Sequence, residues 1–244
     1  MRVRVGKAGR AMAHAAVVAM VLTGCSETAE PDAGESGGAS AGATANGKPA
    51  GVGSGGSIGA AGSACELPVR FDIAESWEPE AIDAAAARAE VDEMADGSSD
   101  DPDSLEKELA AELADSLLTQ GPVTAACEVD AKPAGHIGFL RVFTGEPVDD
   151  DARTVLEDFV LAEESEEVHL DEQRYRTFRS GGLTGVEVSY LRSSEILEET
   201  TKQRALAVVT ADGPVVLHLG GLDDEEHEAM LPAFDLAKRT LRIS

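Results

Sequence analysis

A chain of 244 residues with 46 acidic and 20 basic side chains carries a formal charge of −26 at pH 7. Such a surface repels nucleic acid and anionic lipid head groups, which excludes DNA or RNA binding and keeps a folded domain soluble and clear of a bilayer. The excess acid is compatible with basic or cationic partners, but a solvated acidic surface is its plainer explanation.

In chain order the first feature is an export signal. Arg2, Arg4, Lys7 and Arg10 make a basic start without an acid, and a mostly apolar run follows from Ala11 to Leu22. A run of about a dozen residues suits a secretory signal peptide and falls short of the ~20 that a membrane-spanning helix needs. The tetrad Leu22-Thr23-Gly24-Cys25 resembles the lipobox of bacterial lipoproteins. That resemblance implies that residues 1–24 are removed, that Cys25 is the site of lipidation, and that the mature chain is held on the extracellular face of the cell membrane. Each buried methylene contributes about 0.8 kcal/mol and one acyl chain holds only marginally, so two or three chains on Cys25 would anchor the protein durably. The mature chain would keep sixteen bases against forty-six acids, a net of −30.

Residues 25–64 read as a lipidated cysteine followed by a disordered tether. The stretch is rich in Gly, Ala, Ser and Thr, lacks aromatics, and has Val52 and Ile58 as its only large aliphatic residues, too few to offset its ordering entropy. Forty such residues have a root-mean-square span of roughly 35 Å. The pattern G-x-S-x-G occurs in it three times, centred on Ser36, Ser40 and Ser57. A nucleophile elbow needs a strand before that serine and a helix after it. Gly/Ser-rich sequence produces the pattern by chance, so these serines carry no catalytic weight.

Residues 65–244 are expected to form a single α+β domain. Leu67, Val69, Phe71 and Ile73 alternate with polar residues and predict a strand. Pro79 suits a first helical turn, and an alanine-rich helix is predicted from Ile82 to Met94. Gly97 to Pro102 breaks it. Asp103 and Glu106 then resemble a capping box, ahead of the stripe Leu105, Leu109, Leu113 and Leu117. Strands are predicted over Val123–Val129 and Ile137–Phe143. Asp149, Asp150 and Asp151 favour a helix start by complementing its dipole, and Val155, Leu156, Phe159 and Val160 give that helix an apolar face. Further strands follow at Gln173–Phe178, Val186–Leu191, Ala205–Thr210 and Val215–Leu219, with turns at Gly181-Gly182 and Asp212-Gly213. A last helix runs from about Glu225 to Leu241. Short connections between the late strands demand antiparallel pairing, so the fold is a mostly antiparallel sheet covered by helices. Cys65 and Cys127 are left as an even pair in an oxidising compartment and are predicted to be bridged.

The strand followed by Glu75-Ser76-Trp77-Glu78-Pro79 is similar to the Pro-x-x-Trp opening of the PsbP-like superfamily, which includes the LpqN-type lipoproteins of actinobacteria. The helix Arg153 to Glu163, the strands after Gly181-Gly182, the pair around Asp212-Gly213 and the helix Pro232 to Leu241 follow in a similar order. The resemblance implies a PsbP-like sandwich that binds or assembles without known catalysis, and it carries no site residues over.

Candidate sites are sparse. His218, His227, Asp223 and Asp224 form the densest metal-like cluster, joined by Glu225, Glu226 and Glu228. Acids are nevertheless expected at a helix start on dipole grounds alone, and that reading is preferred. Asp96, Asp100, Asp101 and Asp103 do not match an EF-hand loop. Ser189 and Ser193 have no histidine near them in sequence, and Trp77 reads as a core anchor. No catalytic residue set, no metal and no cofactor is assigned. The leading expectation is a surface lipoprotein with a non-enzymatic binding or assembly domain, attached to the membrane through Cys25 and meeting a protein or envelope partner. The alternatives are an envelope hydrolase or metal-dependent enzyme, marked by a pocket joining His218 or His227 to carboxylates, and a small-ligand carrier, marked by an apolar cavity.

Overall fold

Alternation that holds over long stretches of the C-terminal half builds the centre of the molecule. The computed structural model describes residues 52–96 and 118–244. The expected signal peptide, Cys25, the expected tether up to residue 51, and the break, cap and leucine stripe expected over residues 97–117 lie outside the described residues. The described segments belong to one unit, Gly47–Ser244.

The elements are β1 (Ser54–Ile58), β2 (Val69–Ala74), β3 (Glu78–Ala81), α1 (Ala84–Asp96), β4 (Thr119–Gln120), β5 (Val123–Asp130), β6 (Gly138–Thr144) and α2 (Ala152–Leu161). They continue as β7 (Val168–Ser180), β8 (Leu183–Ser194), β9 (Glu199–Thr210), β10 (Gly213–Gly221), α3 (Asp224–Thr240) and β11 (Arg242–Ile243). The large sheet runs β3-β5-β6-β10-β9-β8-β7, with β4 paired to β5, and a small sheet runs β1-β2-β11. All these pairings are antiparallel. The α+β architecture expected from the element order is the one found.

Two cores flank the large sheet. On one face Val215, Leu217 and Leu219 of β10 meet Met230, Phe234 and Ala237 of α3 together with Val69 and Phe71 of the small sheet. On the other, Val216 of β10 and Ala205 and Ala207 of β9 meet Val155, Leu156, Phe159 and Val160 of α2. Both helices start on an aspartate cap. Asp151 accepts from the backbone N–H of Arg153 and Thr154, and Asp223 from that of Glu226. The disulfide between Cys65 and Cys127, with Cα atoms 5.9 Å apart, ties the loop before β2 to β5 inside the first core.

Three local expectations give way. Pro79 does not open a helix. Glu78–Ala81 is a strand at the edge of the large sheet, paired with β5, and an edge tolerates the missing proline N–H. The helix begins at Ala84 instead, with Asp83 Oδ1 accepting from the N–H of Ala86. The predicted tether also runs too far. Ser54–Ile58 pairs with β2, Ile58 is buried, and Val52 packs on the core. The glycines that suggested disorder permit this close pairing. Gly59 has φ +102°, and a Cβ there would stand 1.9 Å from the carbonyl oxygen of Val69. Finally, β7 is a 13-residue edge strand rather than a short one, with an irregular register between Asp171 and Arg174.

Candidate functional site

The ten-residue α2 covers only part of its face of the large sheet. Beyond it lies an open cleft of about 530 Å³, floored by β5, β6, β9 and β10 and walled by Gln120, Glu163 and Arg192. Strand register builds the floor. Glu128 of β5 pairs across from Arg141 of β6, and Arg141 pairs across from His218 of β10. An acid, a base and an imidazole therefore stand in one row on adjacent strands. Arg141 Nε donates to Glu128 Oε2 at 3.0 Å, and its guanidinium lies 4.6 Å from the centre of the Phe139 ring.

Glu163, two residues past the end of α2, joins the wall to the floor. Its Oε1 accepts from the Tyr190 hydroxyl at 2.6 Å and from Gln120 Nε2 at 2.8 Å, and lies 4.0 Å from His218 Nε2. Its Oε2 lies 3.8 Å from Arg192 Nε and, although buried, has no hydrogen-bond partner among the described residues. His218 Nε2 stands 3.1 Å from Gln203 Oε1, while Gln203 Nε2 donates to Thr201 Oγ1. Burial pushes the His218 pKa down; nearby Glu163 opposes this, and Arg141 and Arg192 add to it. His218 is thus a neutral group on the cleft floor. Ile137 and Leu222, both exposed and linked by a backbone hydrogen bond of 3.2 Å, share the rim with Asp130 and Lys132.

The metal candidates are not brought together. His218 faces α2, with its ring 5.7 Å from Phe159, whereas His227 sits on α3 beside Gly221 on the opposite side of the sheet. Asp223 is the cap of α3. Asp224 accepts from the N–H of Lys202 and pairs with its ammonium at 3.4 Å. Among the described residues no group of three His, Cys, Asp or Glu side chains could hold a metal ion. Helix capping and a cross-link to β9 account for the two aspartates. Ser57 lies on β1, where its hydroxyl donates to the Phe71 carbonyl, so its G-x-S-x-G pattern makes no strand-to-helix turn. Ser193 Oγ shares a hydrogen bond with Thr200 Oγ1.

Of the candidate site residues named from the sequence, only His218 lines the cleft. Glu128, Arg141, Glu163, Gln120 and Gln203 carry no sequence pattern that marks them. One signal was present: Tyr190 occupies a buried strand position, and a buried tyrosine hydroxyl needs a partner. No lining residue is Ser, Thr or Cys. The lining offers the carboxylates of Glu128, Asp130 and Glu163, the guanidinium groups of Arg141 and Arg192 and the Lys132 ammonium, beside the apolar side chains of Ile137, Phe139 and Leu222.

No curated protein matches the chain. The chain is similar to the solution structure of cyanobacterial PsbP (CyanoP) from Synechocystis sp. PCC 6803, at 11% identity over 78% of this chain and 98% of that one, with a TM-score of 0.46. Among the described residues no helix is long and apolar enough to cross a membrane. Residues 35–241 match the profile of a family described as uncharacterised lipoprotein, and the chain belongs to that family.

Proposed function

We propose that this lipoprotein is a lipid-anchored, non-enzymatic binding domain on the outer face of the cell membrane, and that it holds its ligand in the cleft beside α2. Acyl chains on Cys25 supply the anchor in this reading. The observation that carries it is the cleft itself. Its volume of about 530 Å³ falls in the ~300–1,000 Å³ range of small-molecule sites, and charged groups and apolar side chains share its lining. Buried Glu163 Oε2 calls for a donor from the ligand, and the apolar body of the ligand would rest on Phe139, Ile137 and Leu222.

The test has two parts. Metabolic labelling with a fatty-acid probe is expected to mark the wild-type protein and not a Cys25→Ala variant; an unlabelled wild type removes the anchor. Protein purified from envelopes is then denatured and its extract examined by mass spectrometry. The expected result is a co-purifying molecule that raises the melting temperature of wild type and not of a Leu222→Asp variant. No such molecule, or equal shifts in both proteins, overturns the assignment of the cleft.

A hydrolytic reading has one observation in its favour, the approach of His218 to Glu163 in the same cleft. With no side-chain nucleophile on the lining, it would need His218 to activate a water. A turnover of envelope substrates abolished by His218→Gln would select it.

A further inference from the structure

The opposite face of the sheet carries a concentration of positive charge that the composition does not lead one to expect. Arg174 on β7 pairs across from Ser189 on β8, and Ser189 pairs across from Arg204 on β9. One row further along, Arg176 pairs across from Glu187. These five residues alone line a recess of about 100 Å³ at the β7 edge. The space equals the share of roughly three waters at about 30 Å³ each, enough for one tetrahedral oxyanion group. Lys238 of α3 reaches the same place and donates to Glu187 Oε2 at 2.8 Å. Phe234, fully buried, backs the cluster with its ring centre 5.9 Å from both Arg204 and Lys238.

Like charges in neighbouring cross-strand positions repel, and solvent screens part of that repulsion at exposed Arg174 and Arg176. Glu187 offsets part of that cost, but both of its oxygens are taken: Oε1 by Arg204 Nε at 2.6 Å and Oε2 by Lys238. At the rim Arg174 pairs with Glu172 at 2.6 Å and Lys238 with Asp235 at 2.8 Å. Arg176 has no acidic partner among the described residues, and Ser189 Oγ makes no side-chain hydrogen bond there. A guanidinium carries five N–H donors in a fork that matches oxyanion geometry, and most of those on the three arginines are unused. The local field is positive on a chain of net charge −26, which otherwise repels anions.

We propose that the recess lined by Arg174, Arg176, Ser189 and Arg204 binds a phosphate-type oxyanion. The site lies across the sheet from the cleft and does not depend on it. Arg176 supplies the uncommitted charge, Ser189 a hydroxyl donor, and Arg174 and Arg204 the flanking forks. Free phosphate and the head group of an anionic lipid share this chemistry, and the experiment separates them.

The experiment titrates the full chain calorimetrically with two probes at fixed ionic strength: inorganic phosphate, and glycerophosphoglycerol as the deacylated head group of an anionic lipid. Sodium chloride is the blank. Saturable binding of either probe, weakened at least tenfold by Arg176→Gln and untouched by Arg153→Gln on the other face, is the expected result. The tighter probe identifies the source. Arg176→Lys keeps the charge and loses the fork, and is expected to fall between wild type and Arg176→Gln. Absence of saturable binding to both probes, or equal binding by wild type and Arg176→Gln, overturns the assignment.

Discussion

The hydroxyl of Tyr190 donates to Glu163 Oε1 at 2.6 Å, joining β8 of the large sheet to the residue that walls the cleft. Tyr190 is 2% exposed. Burial pushes its phenol well above the ordinary value of 10.0, and the negative charge of Glu163 pushes the same way. The phenol therefore stays protonated at physiological pH and serves as a fixed donor. It holds Glu163 in place together with Gln120, which leaves Oε2 as the acceptor open to a ligand.

Replacing that donor should be felt as stability. Tyr190→Phe leaves a buried carboxylate oxygen with one hydrogen bond fewer, a loss of about 1–3 kcal/mol. Urea unfolding followed by circular dichroism measures it. An unchanged midpoint would mean that the bond does not form in solution.

His227 makes stability depend on pH. Its imidazole is 3% exposed, Nδ1 is buried without a partner, and burial followed by the charge of Arg204 lowers its pKa from 6.5 to about 4. Between those values the unfolded chain binds the proton and the folded one does not, so stability rises with pH. The contribution is complete above about pH 6.5 and is lost as pH falls towards 4; after discounting for partial solvent screening it amounts to about 2 kcal/mol. The melting temperature of wild type should fall more steeply than that of His227→Leu as pH falls from 7 to 4.5. Parallel profiles would contradict the assignment.

The disulfide closes a loop of 62 residues between the small and large sheets. In the chain-entropy model that constraint contributes about 4 kcal/mol. A Cys65→Ala, Cys127→Ala double variant should unfold at correspondingly lower denaturant, and wild type under reducing conditions should approach it. Equal stability of the oxidised and reduced proteins would refute the staple.

Gly59 separates a tether from a strand. With φ +102° and the Val69 carbonyl oxygen where a Cβ would stand, Gly59→Ala forces the backbone away from β2 at a cost on the order of 3 kcal/mol. In a disordered segment the same change would leave the melting temperature unaltered, so one thermal scan decides between the two.

Much of the fold was legible in the sequence because its signals are short-range. Alternation in Val215–Leu219, the helical stripe from Val155 to Val160 and the aspartates at 151 and 223 depend on neighbours a few residues away. Ser54–Ile58 and Glu78–Ala81 escaped because each is a strand only by virtue of a distant partner. Glycine and proline suit a loop locally, and it took the backbone of β2 or β5 to make strands of them.

Both candidate sites were hidden for the same reason, at greater distance. Glu163 meets Tyr190 across 27 residues, and Arg204 meets Glu187 across 17. Isolated polar residues in a chain with 46 acids give no hint of such pairings. The sequence alone determined the strongly acidic character, the order of most elements and the cysteine-ended tetrad at the N-terminal end. Tertiary structure alone decided which strands became neighbours and in what register. Register selects which side chains share a face, and so it placed an acceptor cleft on one side of the sheet and an arginine recess on the other.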